Sequence, residues 1–311
     1  MSRANRIGVV TVTYNASYVI DGFMNSLLQQ AYSDFVLYLT DNSSSDQTPE
    51  RIAQFQDSRI RLFQNQENVG WAEGVNRGVR EALIDGCSFI LLMNNDIEFE
   101  PSLLEELITG LKRYSCDMIV PKILFFDDRE MIWSAGGTFR PWRGYAPAHY
   151  GVFEIDRGQF DVPRRVEHGP ACCLLIRREV FERIGLLDGR FFLGMDDADF
   201  CFRAMRAGLV LFYLPSAKLF HKASSSTGGI GSDVSARYNT RGHIIYMLKH
   251  LGVWRCLFFL PAYQIYLALN LITRKINFSR FLLHEHAFFE GVRIWRSSAV
   301  GESTSRFCPT N

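Results

Sequence analysis

Several common signatures are missing from this 311-residue chain. Its seven cysteines (Cys87, Cys116, Cys172, Cys173, Cys201, Cys256 and Cys308) are odd in number and form no CxxC pair. That usage predicts reduced thiols in a cytoplasmic protein, most of them serving as small core residues. Met1 to Ile7 lacks the apolar centre of a signal peptide and leads at once into a strand. A net charge of +1 provides no basic field, so nucleic acid is not an expected partner. No GxGxxG follows the first strand and no GxxxxGK[ST] occurs anywhere, which argues against a dinucleotide dehydrogenase and a P-loop enzyme. Internal repeats and low-complexity tracts are absent too. An apolar fraction of 47% is ample for a core.

The chain that remains alternates strand and helix patterns. Ile7 to Tyr14 is rich in β-branched residues and predicts a first strand, with a helix over roughly Val19 to Gln30. Phe35 to Thr40 is the second strand, followed by a polar loop and a helix opened by Thr48-Pro49. Ile60 to Phe63 and Phe89 to Met93 are the third and fourth strands, with a helix before Asp85 and another from Pro101 to Arg113. Such spacing means βαβ units and a mostly parallel, Rossmann-like sheet of the α/β class. Met118 to Leu124 is a fifth strand, after which the alternation breaks from Asp127 to Arg165. An irregular excursion of that length reads as a lid or substrate loop. Cys172 to Ile176, a short helix from Arg178 to Ile184, and a strand from Leu209 to Leu214 complete the pattern.

In open α/β sheets, ligands bind beyond the carboxyl ends of the strands. Phe89-Ile-Leu-Leu-Met delivers Asn94, Asn95 and Asp96 there, where a carboxylate could hold Mg2+ or Mn2+ and, through the ion, phosphate. A plain polar strand end is the competing account. Asp196, Asp197 and Asp199 stand at a helix start, where an acidic first turn complements the dipole. The apolar approach Phe191-Phe-Leu-Gly would desolvate the first two, and adjacent carboxylates so placed have raised, coupled pKa values and can act as a base. A lone histidine such as His221 is more often a surface or core residue than a ligand, and the Ser/Thr/Gly run after it reads as a loop able to close over an anion.

Taken in order, these motifs resemble the inverting family 2 glycosyltransferases of GT-A fold, most closely the rhamnosyltransferase branch that builds bacterial surface polysaccharide. The resemblance rests on Thr13-Tyr14-Asn15, Asp41-Asn42-Ser43 with Asp46, and Asn68-x-Gly70 with Gly74, Asn76 and Gly78. It continues through Asn94-Asn95-Asp96, Asp196-Asp197-x-Asp199 with Arg203, and His221, covering roughly residues 5–250. It implies a nucleotide-sugar donor, dTDP- or UDP-linked, whose base lies against Tyr14 and bonds Asp41. Asn68 and the glycine-rich turn would let backbone approach the ribose and diphosphate. Asp96 would ligate Mg2+ or Mn2+ with His221, although Asn94 stands where a full DxD has a carboxylate. Asp197 would be the base, oriented by Asp196 and Arg203, and the 127–165 excursion would face a saccharide or lipid-linked acceptor.

The tail forms a second region, 251–311, after a catalytic region 1–250. Cys256 to Ile272 carries no charge and lies between Arg255 and Arg274-Lys275. Seventeen residues interrupted by Pro261, Gln264 and Asn270 suit an interfacial helix on anionic headgroups better than a span. A peripheral protein on the inner face of the plasma membrane is expected, with a buried helix or a homo-oligomer contact as the alternative. Other readings are a nucleotidyltransferase, against which the loop after the first strand has no Lys or Arg, and a non-catalytic sugar-nucleotide-binding scaffold.

Overall fold

A computed structural model describes residues 5–223 and 231–301. The first half runs β1 (Ile7–Thr13), α1 (Ile20–Leu28), β2 (Phe35–Asp41), α2 (Thr48–Ala53), β3 (Ile60–Gln64), α3 (Trp71–Ile84) and β4 (Phe89–Met93). It continues through β5 (Ile97–Phe99), α4 (Leu103–Arg113) and β6 (Met118–Phe125). Apart from β5, a three-residue strand that the sequence did not predict, these are the predicted elements to within a residue or two at their ends.

β3, β2, β1 and β4 lie side by side and parallel, because each crossover carries a helix back over the sheet. β11 (Cys173–Arg177) then runs antiparallel between β4 and β6. β12 (Leu211–His221) lies parallel to β6, and β10 (Arg164–Val166) closes that side antiparallel to β12. Successive strand residues point to opposite faces, so Val9, Leu37 and Leu91 meet Phe23, Leu27, Leu104 and Leu107 on the α1/α4 side. Val10, Tyr38 and Leu92 meet Val75, Val79, Phe200 and Tyr246 on the other. Each such side chain contributes about 1.5–3 kcal/mol by leaving water.

The excursion has more structure than expected. β7 (Ile132–Ser134) adds to β6, while β8 (Gly137–Arg140) and β9 (Ala146–His149) form a hairpin turned by the 3₁₀ segment Pro141–Arg143. Strands of three or four residues broken by Gly and Pro are too short to print a period on the sequence. β12 also departs from expectation, running on to His221 past a register irregularity between Leu214 and Lys218 at Pro215. His221 is therefore a strand-end residue paired opposite Ile97, not a loop residue. The Ser/Thr/Gly run at 224–230 lies outside the described residues.

After β11 come α5 (Arg178–Ile184), α6 (Asp196–Arg206) and, beyond β12, α7 (Asp233–His250), α8 (Gly252–Ile272) and α9 (Phe278–Gly301). Ile244, Met247 and Leu251 of α7 and its end bury against Cys256 and Phe288. α8 otherwise presents apolar side chains outward, Trp254, Leu257, Phe258, Ile265, Tyr266, Leu269 and Ile272 all being exposed.

The glycines of α3 serve close packing. A Cβ on Gly74 or Gly78 would come within 3.0 Å of Val12 or 2.7 Å of Val10, so both let α3 press onto β1 and neither faces the pocket. In an open helix position Gly to Ala stabilises by up to about 1 kcal/mol. Here the sign is expected to reverse: Gly78→Ala should destabilise by about 1–3 kcal/mol through overpacking, read as a lower urea midpoint at unchanged m-value.

Candidate active site

Parallel pairing places Thr13 level with Asp41, and β4 ends beside them. The antiparallel β11 begins at that same edge, with Cys173 opposite Met93, and β12 ends there at His221. One edge therefore gathers the polar tips of five strands. Between them lies a cavity of about 290 Å³, lined by Tyr14, Asn42, Asn68, Gly70, Asn94, Asn95, Asp96, Asp196, Asp197 and His221 among others.

The side around Asp41 is a hydrogen-bonded lattice. Asp41 Oδ1 accepts from the Thr13 hydroxyl at 2.9 Å and the Ser44 hydroxyl at 2.5 Å, and Oδ2 accepts from the Ser44 amide at 3.0 Å. Asn15 has φ of 49° and its side chain accepts from the Ser45 amide, while Ser43, with φ of 63°, completes the turn. Asn42 donates to the Gly70 carbonyl and to Asn68 Oδ1, which also accepts from the Gly70 amide. Gly70 has φ of +84°, and a Cβ there would meet the Phe192 carbonyl at 2.6 Å. The Trp71 amide donates to that carbonyl at 2.7 Å, so the loop before α6 is clamped to the start of α3. Asn76 is turned away from the cavity: its side chain donates to the Leu187 carbonyl and accepts from the Leu187 amide.

At the β4 tip Asn95 donates to the Val12 carbonyl, and the Asn94 amide donates to the Cys172 carbonyl. The Asp96 carboxylate lies 3.2 Å from His221 Nε2, both being buried. Burial opposes charge on His221, but the Cys172 sulfur and the Asp96 carboxylate favour it and hold the imidazole at about 10. Neither ring nitrogen completes a well-formed hydrogen bond. With its proton given up to solvent, the buried His221 nitrogen beside the Asp96 carboxylate would fit two ligands of a divalent ion whose other positions go to phosphate oxygens and water. Among the described residues, no group of three or more His, Cys, Asp or Glu forms a self-sufficient metal cage.

The opposite wall is the start of α6, turned in by Met195 at φ +68°. The two adjacent carboxylates there are not alike, contrary to the expectation that both are raised. Asp196 is buried, and burial together with the neighbouring Asp197 pushes its carboxyl well above the usual range. Asp197 keeps a quarter of its side chain exposed. Burial works to raise it too, but the His168 imidazole beside it, with the Ala198 amide, holds it below the usual range. Asp199 is wholly structural, paired with Arg203, Lys249 and His250. The Arg203 guanidinium also donates to the Ile184 and Leu186 carbonyls, so it braces α6 through Asp199 and makes no direct bond to Asp197.

Residues without a sequence signal complete the wall. Trp133 of β7 stands edge-on to His221 at 4.6 Å and against His149 of β9 at 5.1 Å. His149 lies 5.2 Å from His168, which faces Asp197. Phe192 stacks on Tyr238 of α7. Phe192 belongs to the apolar approach to Asp196, but Trp133, His149 and His168 belong to no local motif, because the segments carrying them meet only in the fold.

Sheet order, helices and pocket are those of a GT-A glycosyltransferase. The chain belongs to the glycosyl transferase family 2, whose model matches residues 8–185. It is 26% identical over 266 residues to the N-acetylglucosaminyl-diphospho-decaprenol L-rhamnosyltransferase of Mycobacterium tuberculosis, 79% of this chain and 86% of that protein. It is 23% identical to the dTDP-rhamnosyl transferase RfbF of Shigella flexneri, over 93% of this chain and 96% of that one. A crystal structure of GalNAc-T7 with UDP, GalNAc and Mn2+ shares the fold at TM-score 0.61 and 15% identity, over 78% of this chain. The chain spans about half the length of that protein, 48%. The protein is accordingly a family 2 hexosyltransferase.

The split of the two carboxylates has a consequence for stability. A carboxyl raised in the folded state keeps its proton above the unfolded pKa of about 3.9, where the unfolded chain releases it, so folding becomes costlier as pH rises. Asp196→Asn, which keeps the shape and stays neutral, is expected to leave Tm unchanged near pH 4 and to raise it increasingly toward pH 7, followed by thermal denaturation across that range.

Proposed function

We propose that this enzyme inverts configuration while moving rhamnose or another deoxysugar from a dTDP- or UDP-linked donor to a saccharide or lipid-linked acceptor of bacterial surface polysaccharide. The observation that carries the reading is a carboxylate held below the usual range, Asp197, lining the same cavity as the Asp96–His221 pair. Tyr14, half-exposed at the mouth, offers a face to the base. A carboxylate has about four lone-pair sites, and with three of Asp41's occupied one is left for an imide N–H. Asn68 and Gly70 border the path of ribose and diphosphate.

Asp197 takes the acceptor hydroxyl proton, the freed oxygen bonds the anomeric carbon from the far face, and the bond from that carbon to the diphosphate oxygen breaks with its electron pair. Asp196, neutral beside Asp197, adds no second negative charge. Asp96 and His221 would hold Mg2+ or Mn2+, which neutralises the departing diphosphate as a Lewis acid when bound. With only two protein ligands, ion and nucleotide should bind together. The two relatives named for rhamnosyl transfer, one of them from dTDP, make dTDP-rhamnose the first donor to try.

The acceptor reading is supported by α8. Its outward apolar face lies between Arg255 and Arg274-Lys275, and Arg255 donates to the Tyr145 hydroxyl at 3.1 Å. Two residues before Tyr145's neighbour Gly144, which packs on Met247 and Leu251, stands Trp142, 74% exposed. Excursion and apolar helix thus share an edge. Trp254–Ile272 is long and apolar enough to cross a membrane, but Pro261 and the basic ends suit a helix lying in the interface of anionic lipid on the cytoplasmic side.

Calorimetric titration with dTDP-rhamnose, UDP-sugars and GDP-sugars is expected to give metal-dependent binding of one donor. Asp96→Ala should weaken it at least about tenfold, roughly 1.4 kcal/mol, while Asp197→Asn should bind normally and turn nothing over. No binding of any nucleotide sugar with Mn2+ present sinks the proposal. For α8, sedimentation with phosphatidylglycerol vesicles should retain the protein and phosphatidylcholine should retain less. Trp254→Ala with Phe258→Ala should release it, whereas a concentration-dependent dimer without vesicle binding would assign the face to a second copy.

A further inference from the structure

The proposed base is held by a residue that lies outside every motif considered above. His168 is buried, and its Nε2 faces Asp197 Oδ2 at 3.8 Å. Neither of its ring nitrogens has a hydrogen-bond partner among the described residues. A buried imidazole left without partners is costly, so its placement calls for a reason. The ring is gripped edge-to-face between Phe139 of β8 at 5.7 Å and His149 at 5.2 Å. Its backbone is bridged to Gly137, so the hairpin of the excursion fixes where the imidazole sits.

We infer that His168 is a positioning residue for Asp197, its Nε2–H aimed at Oδ2 while the Ala198 amide holds Oδ1 at 2.7 Å. This rests on the reading of Asp197 as the base. Two anchors on two oxygens fix the plane of the carboxylate, and they leave lone pairs facing the cavity for the acceptor proton. At 3.8 Å the His168 contact is longer than a hydrogen bond, and such contacts tighten when substrate closes the site. His168 keeps its own proton throughout; the acceptor proton goes to Asp197 alone.

The surrounding charges favour this arrangement. On α6, Asp196, Asp199 and Cys201 lie near Asp197, with Asp196 neutral, Asp199 neutralised by Arg203, Lys249 and His250, and the Cys201 thiol pushed up by burial. From the excursion comes His149, which burial and His168 push down to about 4, so it brings no competing cation. His149 is tied to the Ser134 hydroxyl at 2.9 Å, and His221 stands beyond Trp133. His168 is thus the one imidazole among these in contact with the Asp197 carboxylate. A side chain with no N–H there leaves Asp197 with one anchor.

The test uses the full chain labelled with ¹³C-aspartate, titrated by NMR. The carboxyl signal lost in Asp197→Asn should titrate below the ordinary aspartate range, move up in His168→Phe, and return part of the way in His168→Gln, which keeps an N–H. An unchanged midpoint in His168→Phe overturns the proposal. Should that variant not fold, ¹⁵N-histidine spectra of the native chain decide. The histidine signals lost in His168→Gln should be those of an Nε2–H tautomer that becomes a mixture in Asp197→Ala; a proton resident on Nδ1 overturns the proposal. With dTDP-rhamnose and water as acceptor, His168→Phe should lower turnover about 10–100-fold with donor KM within about twofold, the mark of lost orientation. Native turnover in Asp197→Asn sinks the base assignment itself. Lost turnover there with flat His168 spectra sinks only the positioning role.

Discussion

β1 is hydrogen-bonded in parallel on both of its sides, to β2 through seven residue pairs and to β4 through four. A strand so placed has no freedom of register, because a one-residue slip would turn Val9 and Val10 each to the wrong face of the sheet. Its end is therefore fixed relative to Asp41 and the Asn94–Asp96 tip. The Asn95 bond to the Val12 carbonyl and the Thr13 bond to Asp41 satisfy buried polar groups that would otherwise be left without partners at that edge. Pocket geometry follows from this anchoring, and the glycines of α3 are the price of packing a helix tightly enough against β1 to hold it.

Across the cavity, two carboxylates adjacent in the chain end in opposite states. Asp196 points into the protein, where burial and its neighbour keep it protonated. Asp197 points toward the cavity and toward His168. Burial alone would raise both; the difference is made by imidazoles supplied from a separate segment. The diphosphate side has the complementary problem, a buried histidine and a buried carboxylate whose charges stabilise one another. The proposed inverting transfer calls on both features, since the acceptor must lose a proton on one face while negative charge departs from the other.

The excursion and the tail meet at one edge of the molecule. Gly144 packs on Met247 and Leu251, and Tyr145 meets Arg255. The hairpin that carries His149 thus touches α7 and the first turn of α8. An acceptor carried by lipid would approach along that edge, so the contact gives the position of α8 a use beyond packing.

Much of this was legible in the sequence. The βαβ order, the strand-end clusters and the acidic start of α6 were plain, because apolar runs, helical spacing and polar stops are local signals. Asp96 and Asp197 stood out for the same reason, whereas Asp41, Asn68 and Gly70 were marked only by the family resemblance. What the linear order left open was which residues from distant strands would become neighbours. The sequence did not indicate that Asn76 would clamp Leu187, that Arg203 would serve Asp199, or that β12 would carry on past Pro215 to place His221 beside Asp96. Nor did His149 and His168 announce themselves, since short Gly- and Pro-broken strands carry no period. By itself the sequence determined the element pattern and the chemistry available at each strand end. Only the tertiary structure decided which carboxylate is ionised, because that depends on burial and on an imidazole 29 residues away in the chain, brought to 3.8 Å by the hairpin.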